Sequence, residues 1–456
     1  MNNKRLLSDN EVQKGLRSII FDGMMSQALT TFTGSVFLTA FALTLGASDF
    51  IVGVLATIPL LANVIQIPAA LLVEKLRVRK SITVLASALS RALWLVIAAI
   101  PFIAADWAIP LIIITLIALS LLAAVGGCSW NSWINDIVPK QSLGKFFSQR
   151  MLRSTATAIP AALLAAWFIS WWQQTFPGLE VMGYSLLFVA GLIFGLIGVA
   201  VIARMPEPAM VVQTMPPLAE IIKSPFADHN FCNLIKFLAS WNFSINLVLP
   251  FLTVYLITTF GYSASLVTVF GVVSQLASML FFRIWGVLCD RYSNVSVLKI
   301  AGPAMVVVSL LWATTSIFAG STWIILLIVG IHLLSGAASA GVNLATGNIG
   351  LKLAPREKAT SYLAASSLFS AVSAGLAPLI GGIAIGFVGG WEYFFILAFF
   401  LGLVSLHYLR KLKEAGNAPS TIVAKELVVE LKQTTSPQKV KSTAKSWSSH
   451  LLAGLR

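Results

Sequence analysis

Twelve stretches of mainly apolar residues, each long enough to cross a bilayer, constrain this chain more than any other feature. A helix crossing a hydrocarbon core of about 30 Å needs about 20 such residues, and runs such as Leu111 to Val125, Leu186 to Ile202 and Val306 to Ile317 sit inside segments of that length. The first two spans cover 16–45 and 49–73, the fifth 151–173, the seventh and eighth 229–259 and 264–288, and the tenth 322–350. Only 11% of the residues are charged, against about 25% in a soluble chain, which excludes an ordinary soluble domain. The basic start (Lys4, Arg5, Lys14, Arg17) runs into a span too long for the core of a cleaved signal peptide, so none is expected.

The net charge of +14 is a matter of placement. Lys75, Arg77, Arg79 and Lys80, then Lys140, Lys145, Arg150 and Arg153, then Arg204 and Lys223, and later Arg291, Lys352, Arg356 and Lys358 all fall in loops on the side of the N-terminus. The opposite loops carry Asp49, Asp106, Glu180 and Glu392 and no cation. By the positive-inside rule both termini are expected in the cytoplasm, with the basic loops reporting topology. No nucleic-acid partner is expected, because the dispersed charges surround no groove-reading motif. Cys128, Cys232 and Cys289 form no disulfide or metal framework, and no cofactor or metal site is expected.

The spans divide six and six about a proline-rich segment from Met205 to Asp228. Four matches relate the halves in one order, at an offset that drifts by only two residues. Phe37 to Thr44 matches Phe251 to Thr258, Leu45-Gly-Ala-Ser48 matches Phe260-Gly-Tyr-Ser263, Ala70 to Lys75 matches Gly286 to Arg291, and Ile137-Val-Pro139 matches Leu353-Ala-Pro355. Parallel repeats of six spans imply a pseudo-twofold axis along the membrane normal. The expected fold is an all-α membrane protein, twelve transmembrane helices in two pseudo-symmetric six-helix bundles. Residues 1–204 form the first bundle, 205–228 a cytoplasmic linker, 229–411 the second bundle and 412–456 a basic cytoplasmic tail. That tail is expected to be largely solvated, with Ile422 to Leu431 and Trp447 to Leu455 as segments able to touch anionic lipid.

This organisation resembles the major facilitator superfamily over about residues 15 to 410. The loop signature of that family, Gly-x-x-x-Asp-Arg, is matched by Gly286-Val-Leu-Cys-Asp290-Arg291, and more weakly by Ala70 to Lys75, where Glu74 replaces the aspartate. Trp130-Asn-Ser-Trp-Ile-Asn-Asp-Ile-Val-Pro139, followed by Gly144 to Phe147 and Arg150, is similar to the junction of spans 4 and 5 in poorly characterised bacterial members. The resemblance implies transport by alternating access in a bacterial inner membrane. It also implies a cytoplasmic gate of Glu74, Asp290 and Arg291, the two acids facing the helix starts near Thr360 and Gly144. A carboxylate at a helix N-terminus gains about 0.3–1 kcal/mol, which suits a breakable latch. The span 4 arginine and span 5 glycine-proline signature of drug/proton antiporters are both absent, since Ile159-Pro-Ala-Ala162 stands where the latter is expected.

Polar side chains are costly in hydrocarbon and mark a cavity or a partner. Asp22, Ser26, Thr30 and Thr33 share one helical face of span 1, and Lys236, Ser240 and Ser244 repeat the rhythm in span 7. Asp22 and Lys236 are expected to face the pathway and to pair with each other or bind a charged substrate group, with Arg91 as a rival partner for Asp22. Alternatively, Asp22 and Lys236 snorkel to the headgroups. His332, Ser335, Ser339 and Asn343 form a second polar face in span 10, where His332 either titrates or joins helices by a neutral hydrogen bond. Trp241, Asn242, Asn246 and Gln275 add hydrogen-bonding surface.

The function expected from these features is secondary active transport of a small solute, with protons as candidate co-substrate, the lipid bilayer as surroundings and a monomer as the working form. Without Gly-x-x-x-x-Gly-Lys-[Ser/Thr] there is no ATP machinery, and no nucleophile constellation points to an enzyme. Proton-coupled drug efflux and a transporter-like sensor without flux are the alternatives.

Overall fold

The computed structural model describes residues 8–138, 143–208, 223–318, 320–355 and 358–434. Pro139, Lys140, most of the linker (209–222), Arg356 and the segment Trp447 to Leu455 lie outside the described residues, as do the side chains of Lys145 and Thr360. Among the described residues all regular structure is helical, without strands. From the first half come α1 (Asp9–Phe32), α2 (Ser35–Thr44), α3 (Asp49–Ala62), α4 (Gln66–Leu76), α5 (Arg79–Ile103), α6 (Ala108–Ile137), α7 (Leu143–Thr175) and α8 (Glu180–Ile202). The rest are α9 (His229–Thr258), α10 (Ala264–Arg291), α11 (Asn294–Thr314), α12 (Ile324–Leu353), α13 (Ala359–Val388), α14 (Trp391–Arg410) and α15 (Ser420–Thr434).

Among the described residues ten helices are long and apolar enough to cross a membrane, and α3 with α4, bent by 47°, make an eleventh when taken as one span. The bend follows Pro59, and Asn63 Nδ2 donates to the Pro59 carbonyl at 3.1 Å. The remaining expected span, 16–45, is broken into α1 and α2. Thr30, Thr31 and Thr33 each turn a hydroxyl back onto the carbonyl four residues earlier, at 2.8–2.9 Å, which bends helices. Gly34 follows, so close to the Thr30 carbonyl oxygen that a Cβ would lie 2.6 Å from it. Its counterpart α9 runs unbroken.

The repeated Gly-x-Ser has a structural meaning in both halves. Gly46 (φ 82) and Gly261 (φ 66) end α2 and α9 in the left-handed region, which glycine adopts without strain. Two residues later Ser48 Oγ accepts the Ile51 N–H at 3.4 Å and Ser263 Oγ the Leu266 N–H at 3.3 Å, starting the next helix.

The chain forms two compact units. The first comprises Met1–Leu218, Ala239–Val272 and Ser367–Ala398, with a core around Phe37, Phe41, Trp94, Leu116 and Phe188. Within it the later segments press on α3 and α7 through small residues. A Cβ on Gly53 would lie 2.4 Å from the Pro378 carbonyl oxygen, and Ser265 Oγ donates to the Ala166 carbonyl at 2.7 Å. Small residues let helix backbones approach and gain dispersion contacts that lipid cannot match.

The basic loop after α4 does more than set topology, because Arg79 is 1% exposed. Its Nη1 donates to Asp136 at 2.6 Å and to the Ser132 carbonyl at 3.0 Å, and its Nη2 to the Pro208 carbonyl at 3.0 Å. Beside it, Glu207 accepts the Lys80 N–H at 3.1 Å in the first turn of α5, a favourable charge at a helix N-terminus.

The second unit comprises Ala219–Leu238, Val273–Ser366 and Phe399–Arg456. In it Glu414 repeats the device, accepting the Val295 N–H at 2.8 Å at the start of α11. Instead of being solvated, the chain from Lys411 to Thr434 is fastened down. Gly416 (φ 80) turns it where a Cβ would meet the Tyr292 carbonyl oxygen at 2.4 Å. Ser296 Oγ then accepts the Ala418 N–H at 2.9 Å, and Val423 of α15 is fully buried.

Candidate functional site

On α1 of the first unit Asp22 is buried, 3% exposed. Its Oδ1 lies 3.5 Å from Arg91 Nη2 of α5 and accepts Ser26 Oγ at 3.2 Å. Arg91 Nη2 donates to the same Ser26 Oγ at 2.9 Å, and its Nη1 to the Gly195 carbonyl of α8. Two glycines of α8 make room for this cluster: a Cβ would sit 3.0 Å from Arg91 Cδ at Gly195 and 2.8 Å from Asp22 Oδ1 at Gly198. Of the two expected partners for Asp22, Arg91 is the one found in this unit. Burying a charge is costly unless it is paired and hydrogen-bonded, and three helices supply those partners here.

Asp22, Ser26 and Arg91 line a cavity of about 730 Å³. Thr30, Thr33 and Gly34 at the break in α1, and Asn63 and Gln66 at the bend after α3, open polar groups onto it. Its walls are apolar, including Leu29, Trp94, Leu119, Leu249 and Pro250, with Asn246 contributing one amide. Predominantly apolar walls with a few placed polar groups, in a volume of about 300–1,000 Å³, are the usual form of a small-molecule site.

Two further residues lie at this cavity that the sequence reading had placed elsewhere. Arg150 counted as a loop cation and Trp130 as part of a junction motif. Helix α7 begins at Leu143, eight residues before the expected span, so Arg150 stands about two turns inside it. Its guanidinium carbon lies 4.7 Å from the Trp130 ring centroid. Arg150 Nε, Trp130 Nε1 and Ser120 Oγ are buried without a hydrogen-bond partner, and Arg150 has no ion pair among the described residues. A tryptophan nine residues before Pro139 and an arginine four before Ser154 are the available signals. Arg283, an exposed arginine of α10 inside an expected span, is a further cation that the charge pattern of the loops does not cover.

The other candidates stand as follows. In the first unit Ser244 Oγ donates to the Ala398 carbonyl at 3.0 Å and Asn246 Nδ2 to the Asn242 carbonyl at 2.8 Å. Ser240 also belongs to this unit, and Lys236 to the second. In the second unit His332 Nδ1 lies 2.9 Å from its own helix's Ile328 carbonyl, and its ring stands edge-on to Trp312 at 5.5 Å. Ser339 Oγ donates to the Gly336 carbonyl at 3.1 Å, Gln275 Oε1 is buried without a partner, and Asn343 is exposed. Arg291 is taken up by the tail helix, through an ion pair to Glu426 and another to Glu430 at 3.7 Å. Glu74 is half-buried at the end of α4.

Residues 21–347 match the family model of the Major Facilitator Superfamily. Among solved structures, the nucleoside transporter NupG, in a mutant form, superposes with a TM-score of 0.68 at 14% identity, covering 88% of this chain and 100% of its own. A D-xylose-proton symporter gives 0.67 at 13% identity, with 90% and 99% covered. The inward-open xylose transporter XylE from E. coli gives 0.63 at 12% identity, with 91% and 98% covered. At these identities the likeness is one of fold. No curated protein sequence matches the chain.

Proposed function

Because this chain belongs to the Major Facilitator Superfamily, we propose that the cavity at Asp22 and Arg91 is where its solute binds as access alternates between the two sides of the membrane. The protein is a multi-pass membrane protein and a secondary transporter of small solutes. The observation that carries the site is the coincidence of a small-molecule-sized cavity with the buried cluster Asp22–Ser26–Arg91. An ion pair there costs desolvation that apolar packing would avoid, so its position on a cavity wall fits a role in handling solute.

Asp22 is the one carboxylate among the described lining residues, which makes it the candidate proton carrier if transport is proton-coupled. The cytoplasmic placement of both termini rests on the cation distribution, and the bacterial inner membrane on the family resemblance. Lys236, Ser240 and Ser244 remain proposed pathway residues, and Glu74 and Asp290 proposed gate residues.

Solute counterflow into proteoliposomes carrying the full chain tests the reading. Asp22→Asn protein that folds, as judged by a monodisperse elution profile, is expected to lose flux. A wild-type protein that binds solute but moves none would make it a sensor instead. Flux that ignores an imposed pH gradient would remove the proton.

A further inference from the structure

We propose that the solute is an organic monoanion, a carboxylate on an apolar body, with its charged group held by Arg150 beside Trp130. The inference rests on the transport reading of the cavity and names the class of molecule it takes.

The first argument is charge. Asp22, Arg91 and Arg150 are the ionisable residues among the described lining of the cavity, so one carboxylate faces two guanidinium groups. Asp22 is already bound to Arg91 and Ser26. That single carboxylate, whose charge also reaches Arg150, therefore serves two cations, and the described lining keeps a net positive charge. In a membrane-embedded site an uncompensated arginine is expensive, and the Trp130 face returns only part of that cost.

The second argument is the kind of group left over. The arginine Nε and indole Nε1 that lack partners are donors only, and Ser120 Oγ can donate as well. What these two donors lack is an acceptor. A carboxylate supplies two acceptor oxygens in the planar spacing that a guanidinium matches with two parallel hydrogen bonds. A cation would meet repulsion here, and a neutral hydroxyl compound would leave the charge unanswered.

The third argument is the remaining wall. Leu29, Leu119 and Leu249 with the Trp94 ring face the cavity, so the body of the anion should be apolar. The fold also makes a seat for the guanidinium side chain. Arg150 is seated against Gly23, where a Cβ would come within 3.0 Å of both Arg150 Nε and Ser154 Oγ.

Thermal stability of the purified full-length protein reads the inference directly, because a ligand that binds the folded state raises its melting temperature. Benzoate, benzamide and benzylamine serve as probes: one body, with a negative, neutral or positive head. Benzoate is expected to shift the melting temperature in a saturable way, and the other two by much less. Arg150→Gln is expected to weaken benzoate binding at least tenfold, and Arg150→Lys, which keeps the charge but not the fork, by less. The melting temperature without ligand reports whether each variant is folded, and Arg150→Lys carries the test if Arg150→Gln is not. Equal shifts with benzamide, undiminished benzoate binding in folded Arg150→Gln, or no benzoate shift in the wild type up to tens of millimolar would each overturn the proposal. Failure here with flux of a neutral solute intact leaves the transporter standing. Benzoate binding that depends on Arg150, without flux of any solute, refutes the transporter and keeps the anion site.

Discussion

Arg79 and Arg150 are both arginines of the first unit at the ends of apolar spans, and both were counted as loop cations. Arg79 has an acid at 2.6 Å and two backbone carbonyls at 3.0 Å, leaving only Nε unpaired. Arg150 has an aromatic face, an unpaired Nε and, among the described residues, no ion pair, Asp22 acting on it only at longer range. The same side chain is thus a structural pin in one place and an open valence in the other. What separates them is whether the fold has supplied the counter-charge. Stability and function should therefore divide between them.

Removing the pin should have the largest effect on folding. Arg79→Ala leaves Asp136 without its partner and should cost about 3 kcal/mol, at the low end for a broken buried pair because Asp136 is partly exposed. Denaturant titration of the purified protein in detergent would measure it, and a loss below about 1 kcal/mol would erase the distinction between the two arginines.

Gly198→Ala probes the pair between these extremes. The added methyl displaces Asp22 or Arg91, at an expected cost of about 1–3 kcal/mol for overpacking. Flux should fall further than stability, and the ratio of the two losses is the quantity to compare. Glu414→Gln, in the second unit, removes the charge at the start of α11 and its ion pair with Lys352 at 3.6 Å while keeping an acceptor, and should cost about 1–2 kcal/mol, with melting temperature as the readout.

The smallest change in stability belongs to Arg150→Gln. With no ion pair to break, and a buried unpaired donor relieved, the ligand-free protein should stay within about 1 kcal/mol of wild type. A large destabilisation would show that Arg150 is a second pin.

Much of the fold was legible because it depends on local pattern. The apolar runs placed the spans, and the repeated Gly-x-Ser marked a stop and a start that only glycine and serine make cheaply. The face of Asp22, Ser26 and Thr30 was read from helical spacing and does line the cavity. The break in span 1 was not read, because its cause lies in threonine hydroxyls choosing their own backbone.

Arg150 was misplaced for a physical reason. Hydropathy finds where a chain turns apolar, whereas a helix persists as far as its backbone bonds do, and α7 persists eight residues beyond the expected boundary. Arg79 and Arg291 were opaque in a different way, since their acids lie 57 and 135 residues further along the chain. Polar composition likewise hid α15, whose buried Val423 and inward Glu426 and Glu430 become intelligible only with α11 and Arg291 in place.

That last separation bears on how the molecule is made. The ribosome delivers Arg291 and the start of α11 well before Glu414 and Glu426 exist, and at about 5–20 residues per second the wait is on the order of 10 s. During it Arg291 and the start of α11 must wait without these acids, the cation and the helix terminus served by water. The first unit's Lys80, by contrast, meets Glu207 before the second half begins. Quality-control proteases would thus find their longest window at the C-terminal half, and a nascent chain arrested before α15 should be cut there first.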